Sequence, residues 1–125
     1  MWDILFWVYL VNAVFLILHE IDSAYWKEWE LFHLPGGATG FLLIHFPVLF
    51  LVLYGLVLVT QRSTAGLILS LILGLAGVFA FSIHLFFIRR GRDEFKSPIS
   101  LFILVATLAV SLVQSAITVP LLVQG

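Results

Sequence analysis

Residues 65–88 read AGLILSLILGLAGVFAFSIHLFFI, a run without a single Asp, Glu, Lys or Arg. About 20 apolar residues in a helix cross the roughly 30 Å of a bilayer's hydrocarbon core, so this run is long enough to span one. A bilayer admits only helices or closed barrels, and a run that does not alternate is a helix. Three further runs of the same kind surround it. The first covers about Ile4–Ile21, is interrupted by Asn12 and closes on His19-Glu20-Ile21-Asp22. The second covers about Phe41–Val59, and the last about Ile99–Val123, with Pro98 where a first helical turn tolerates proline. The pattern predicts an all-α, integral membrane four-helix bundle forming one transmembrane domain over 1–125. Its spans are expected at about 4–21, 41–59, 65–88 and 99–123, with an interfacial helical segment over 22–37.

Composition carries the same message. Of 125 residues, 62% are hydrophobic and 10% charged, where a soluble domain carries about 25% charged residues. With a mean hydropathy of +1.17, there is too little polar cover to face water, and lipid is the expected partner. The formal net charge of −1 gives no pull toward nucleic acid. The absence of cysteine excludes disulfides, Fe–S clusters and thiolate metal sites, and one methionine argues against a thioether copper site. Met1-Trp2-Asp3 lacks the basic start of a secretory signal, so the first run is expected to be a retained span.

Between the first two spans, Asp22–Gly37 reads DSAYWKEWELFHLPGG. Tyr25, Trp26, Trp29, Phe32 and His33 suit a headgroup region, and Pro35-Gly36-Gly37 ends any helix. The segment is expected to extend the first span or to lie as a short helix in the interface. Lysine and arginine set the orientation. Arg89, Arg90, Arg92 and Lys96 follow the third span, Lys27 follows the first, and only Arg62 follows the second. The first and third loops share a side, which is expected to be the cytoplasmic face of the inner membrane, with both termini outside. Gly66, Ser70, Gly74 and Gly77 form a small-residue face for close helix packing. Ser100, Thr107, Ser111, Gln114 and Thr118 fall on one stripe of the last span, expected to face the bundle.

Three of the four histidines stand at one depth: His19 near the end of the first span, His45 near the start of the second, His84 near the end of the third. At 1.5 Å per residue, His84 lies roughly 7 Å inside Arg89 and His19 roughly 5 Å inside Asp22. Five turns separate His84 from Gly66, so His84 shares the small-residue face. His19 shares a face with Asn12, a stripe that Asp22, Ser23, Trp26, Glu30 and His33 continue if the helix persists. Glu20 points about 100° away, toward another neighbour. Ionisable groups inside a span are costly and face the protein interior. Three imidazoles with a carboxylate match a zinc or iron site: His19, His45 and His84 as ligands, with Glu20 or Asp22 as fourth ligand, second-layer partner or general base. An open metal position activates water for hydrolysis. Glu30-x-x-His33 has carboxylate di-iron spacing but lacks the second copy that such a site needs.

The stretch His19–Glu30, with Leu34-Pro35-Gly36-Gly37 and His45, resembles uncharacterised families of small bacterial membrane proteins. It is similar to the HXXEE-motif membrane families, which pair an early His with acidic residues at a helix end. Here the pattern departs from theirs, because Glu20 and Asp22 follow His19 and residue 23 is Ser. The resemblance implies architecture and no reaction. His and carboxylate at a membrane edge also resemble seven-span zinc hydrolases of the ceramidase type, which implies hydrolysis of a lipid-like substrate. Three readings stay open: a metal site supporting such hydrolysis, a b-type haem held by two of the histidines, and a cofactor-free accessory subunit of a larger membrane complex or homo-oligomer.

Overall fold

The computed structural model describes residues 1–92 and 96–125. Residues 93–95, inside the basic loop on which the orientation rests, lie outside the described residues. Four long helices carry the apolar runs: α1 (Trp2–Tyr25), α3 (Gly37–Thr60), α4 (Thr64–Arg89) and α5 (Pro98–Gln124), with a short α2 (Glu28–Leu31) after the first. Each long helix outlasts its apolar run by a few residues. At 1.5 Å per residue, even the shortest reaches about 36 Å, enough to cross the hydrocarbon core. Outward-facing side chains such as Trp7, Leu43, Phe46, Phe50 and Phe102 are exposed. An apolar surface of that extent is a lipid contact. The chain is a multi-pass membrane protein.

The helices form a ring in the order α1, α3, α4, α5, and α4 packs most extensively on α5. The small residues of α4 explain this. Gly66, Ser70, Gly74 and Gly77 are all buried. A Cβ at Gly77 would collide with the Ser111 hydroxyl, and one at Gly74 with that of Ser115. Gly66 serves the other neighbour, because a Cβ there would meet the α3 backbone at Leu58 and Val59. The polar stripe of α5 faces inward as its spacing predicts. Asn12 Nδ2 donates to Gln114 Oε1 at 2.9 Å and to Ser111 Oγ at 3.1 Å. Gln114 Nε2 donates to the Ser70 carbonyl at 2.9 Å, and Ser70 and Thr118 share a 2.8 Å hydrogen bond. In hydrocarbon these groups have no water to bond, so they bond one another and tie α1, α4 and α5 together.

α3 is held less. Of its residues only Phe41, Gly55 and Val59 are buried, and Pro47 removes one of its backbone hydrogen bonds. Tyr9 is its main anchor: the phenol donates to the Val52 carbonyl at 2.6 Å and occupies the space left by the missing side chain of Gly55. The bundle therefore has a tight polar half at α1/α4/α5 and a looser apolar half at α3.

The segment between α1 and α3 departs from a continuous helix. α1 stops at Tyr25, and Lys27 adopts the left-handed conformation with φ 53°. That reverses the chain, so Glu30 and His33 do not continue the His19 stripe, and both are exposed. α2 then crosses the end of the bundle. Trp29 packs on Phe41 of α3 with ring centroids 5.4 Å apart, and Phe32 packs on Phe87 at 5.4 Å. Leu31 is buried beneath. The aromatic residues that suit an interface thus fasten α2 to α3 and α4. Gly36, at φ 95°, supplies the left-handed turn from which α3 starts.

Candidate metal centre

His84 stands near the C-terminal end of α4 and is only 1% exposed. Its Nδ1 lies 2.7 Å from the Ala80 carbonyl. A carbonyl can only accept, so Nδ1 carries the proton and Nε2 is the nitrogen that meets the site. From α1, His19 is 3% exposed and sets its ring edge to face against that of His84, with centroids 4.7 Å apart. From α2 comes Glu28, whose Oε1 lies 3.4 Å from His84 Nε2. One donor atom from each of His19, His84 and Glu28 lies within 4.8 Å of the other two. Two imidazoles and a carboxylate are among the donor sets of catalytic zinc. Closing to tetrahedral ligand spacing takes side-chain shifts of about 1 Å, within rotamer play.

His45, expected from its depth to join His19 and His84, has a different partner. Its Nε2 lies 2.6 Å from Glu20 Oε2. The ring stacks on Phe41 at 3.9 Å, and Nδ1 reaches the Phe41 carbonyl at 2.7 Å. As in His84, the carbonyl one turn back requires the proton on Nδ1, so Nε2 faces a carboxylate in both cases. At 2.6 Å Glu20 and His45 form a closely held pair beside the three-residue cluster.

Asp22, the other carboxylate expected to assist, is engaged elsewhere. Its Oδ1 accepts from Ser100 Oγ at 2.9 Å and from Trp26 Nε1 at 3.2 Å. Ser100 in turn accepts from Ser97, the residue that caps α5. This chain fastens the end of α1 to the start of α5, so Asp22 positions helices. Ser23, one turn beyond His19 on the same face, is fully buried with no hydrogen-bond partner for its hydroxyl among the described residues.

The three-residue cluster and Glu20, without His45, line a cavity of about 440 Å³ between α1, α3 and α4. His19, Glu20, Glu28 and His84 line one end, and the walls beyond are almost wholly apolar. Glu28 is the residue that spacing misses. On a continuous helix it would lie roughly 180° from His19. The turn at Lys27 brings it back, and no local signal in Trp26-Lys27-Glu28 announces a left-handed lysine.

No curated protein matches the chain, and no solved structure does. One family matches almost its whole length, residues 5–121, in keeping with the uncharacterised membrane family suggested by the His19–His45 stretch. The four lipid-facing helices and the His/Glu/His cluster are thus described in a chain that belongs to DUF6713, a family of unknown function.

Proposed function

We propose that the protein binds a divalent transition metal, zinc or iron, through His19, His84 and Glu28, and uses it to hydrolyse a lipid-like substrate at the membrane edge. The observation that carries this reading is the convergence of three donor atoms within 4.8 Å at the polar end of an apolar cavity. His19, His84 and Glu28 would hold the metal, which when bound would supply the Lewis acidity that makes a water proton easier to remove. The Glu20–His45 pair is the acceptor for that proton and its donor to the leaving group. The water oxygen ends on the acyl carbon, and the water proton ends on the departing oxygen or nitrogen.

The geometry does not favour haem b. Bis-histidine ligation needs two imidazoles on opposite faces of a flat slot, whereas the His19 and His84 rings touch edge to face. We place the site on the cytoplasmic side of an inner membrane, because the basic residues Arg89, Arg90, Arg92 and Lys96 follow the helix that carries His84. The test is metal analysis and an optical spectrum of the purified protein, followed by titration with cobalt(II). One equivalent of metal and a ligand-field band of low coordination number support the reading. A Soret band replaces it with haem, and no bound metal with wild-type folding leaves the accessory-subunit reading.

A further inference from the structure

The cavity is polar at one end only. Its four ionisable groups gather where α2 crosses the bundle, and its far end is closed by Tyr9 and Leu69. From Glu20 to Tyr9 along α1 the distance is roughly 16 Å, and from His84 to Leu69 along α4 roughly 22 Å. A volume of about 440 Å³ spread over that length is a tunnel wide enough for an alkyl chain. Its wall is not closed. Leu51 of α3 and Phe79 of α4 line the tunnel yet are 50% and 68% exposed, while Tyr9 on the α1 side is 0% exposed. The opening therefore lies between α3 and α4, on the surface that faces hydrocarbon. Pro47, next to the lining residue Val48, has removed a backbone hydrogen bond from α3 at this opening.

We infer that this tunnel holds a hydrocarbon tail of an acyl amphiphile, which slides in from the bilayer between α3 and α4 with its carbonyl oxygen at the His19/Glu28/His84 cluster. The placement of the head rests on the metal reading above; the placement of the tail rests on the tunnel alone. An occupant from water would need a polar mouth, and this mouth is apolar. An amphiphile matches a pocket with apolar walls and a few convergent polar groups, and a metal held by two imidazoles and a carboxylate takes a hard oxygen donor. The Tyr9 floor makes the tunnel a ruler, with chains longer than it excluded or left protruding.

The inference is tested on the full chain in detergent by native mass spectrometry and competition, with and without zinc. The probes are sodium dodecanoate, monododecanoylglycerol and sodium icosanoate. One dodecanoyl chain is expected per protein. Binding of both dodecanoate and its glycerol ester identifies the acyl carbonyl as the recognised group, and binding of dodecanoate alone narrows it to the free acid. Icosanoate is expected to bind at least tenfold more weakly. Ala76→Trp fills the tunnel from an exposed lining position, which folding tolerates. It should weaken dodecanoate at least tenfold and leave zinc affinity within twofold. Dodecanoate binding that Ala76→Trp leaves unchanged overturns the inference. Zinc binding without saturable dodecanoate binding overturns it while sparing the metal reading. Saturable, Ala76-dependent dodecanoate binding without any zinc binding does the reverse, leaving the tail in place and removing the metal.

Discussion

His45 Nε2 lies 2.6 Å from Glu20 Oε2, while the other nitrogen of the same ring is held by the Phe41 carbonyl at 2.7 Å. The ring is thereby fixed between a carboxylate of α1 and a backbone carbonyl of its own helix. Glu20→Gln keeps a hydrogen bond, because its amide can donate to Nε2, but it cannot take up a proton. The variant should melt within a few degrees of wild type and lose hydrolysis. Glu20→Ala leaves the half-buried imidazole without this partner and should cost about 1–3 kcal/mol of stability. Thermal unfolding in detergent, run beside an esterase assay on monododecanoylglycerol, separates the two effects. Wild-type turnover by Glu20→Gln would remove the proton-transfer role.

Metal affinity should divide the histidines into two classes. His19→Ala, His84→Ala and Glu28→Gln each remove a donor atom of the cluster and should weaken cobalt(II) binding about 100-fold or more, that is, about 2.7 kcal/mol. His45→Ala should keep the metal and lower turnover, because it removes half of the Glu20 pair. Protons compete with metal for imidazole nitrogen, so affinity in the wild type should fall as pH is lowered. Titration of the ligand-field band checks each variant. Equal losses at His45 and His84 would return to the three-histidine site expected from depth alone.

The glycine face of α4 should be intolerant of volume. Gly77→Leu would drive a side chain into Ser111, which bonds Asn12, and Gly74→Leu would press on Ser115. Each should destabilise the bundle by on the order of 1–3 kcal/mol. Leu75→Ala, at an exposed position of the same helix, is the control and should cost little. A Gly77→Leu variant as stable as the control would contradict the packing of α4 on α5.

Topology is a separate expectation. Four spans put Met1 and Gly125 on one side, and from the basic residues after α4 that side is expected to lie outside the cytoplasm. Reporter fusions after Gly125 and between Arg92 and Lys96 should read as extracytoplasmic and cytoplasmic respectively. The opposite pair of signals would invert the orientation and leave the geometry of the centre unchanged.

Much of the architecture is legible in the chain because the bilayer allows so few solutions. Once residues 65–88 are read as a span, hydrophobicity and length locate the other helices. Helical period alone orients Gly74 and Gly77 toward a neighbour, turns Ser111 and Gln114 inward, and separates His19 from Glu20 by about 100°. That divergence is realised, with His19 meeting His84 on α4 and Glu20 meeting His45 on α3. Depth puts three histidines at one level. It does not decide which of them share a neighbour, because period orients a side chain about its own helix and says nothing of how neighbouring helices are rotated. Tertiary packing makes that choice: α3 turns His45 to Glu20, and the link from Ser97 through Ser100 draws Asp22 to α5. Glu28 was beyond reach for a different reason. Its place depends on a left-handed lysine, a conformation that costs energy locally and is held by contacts of Trp29, Leu31 and Phe32 with distant residues. The bilayer made the helices readable one at a time, and only their packing brought His19, His84 and Glu28 to one point.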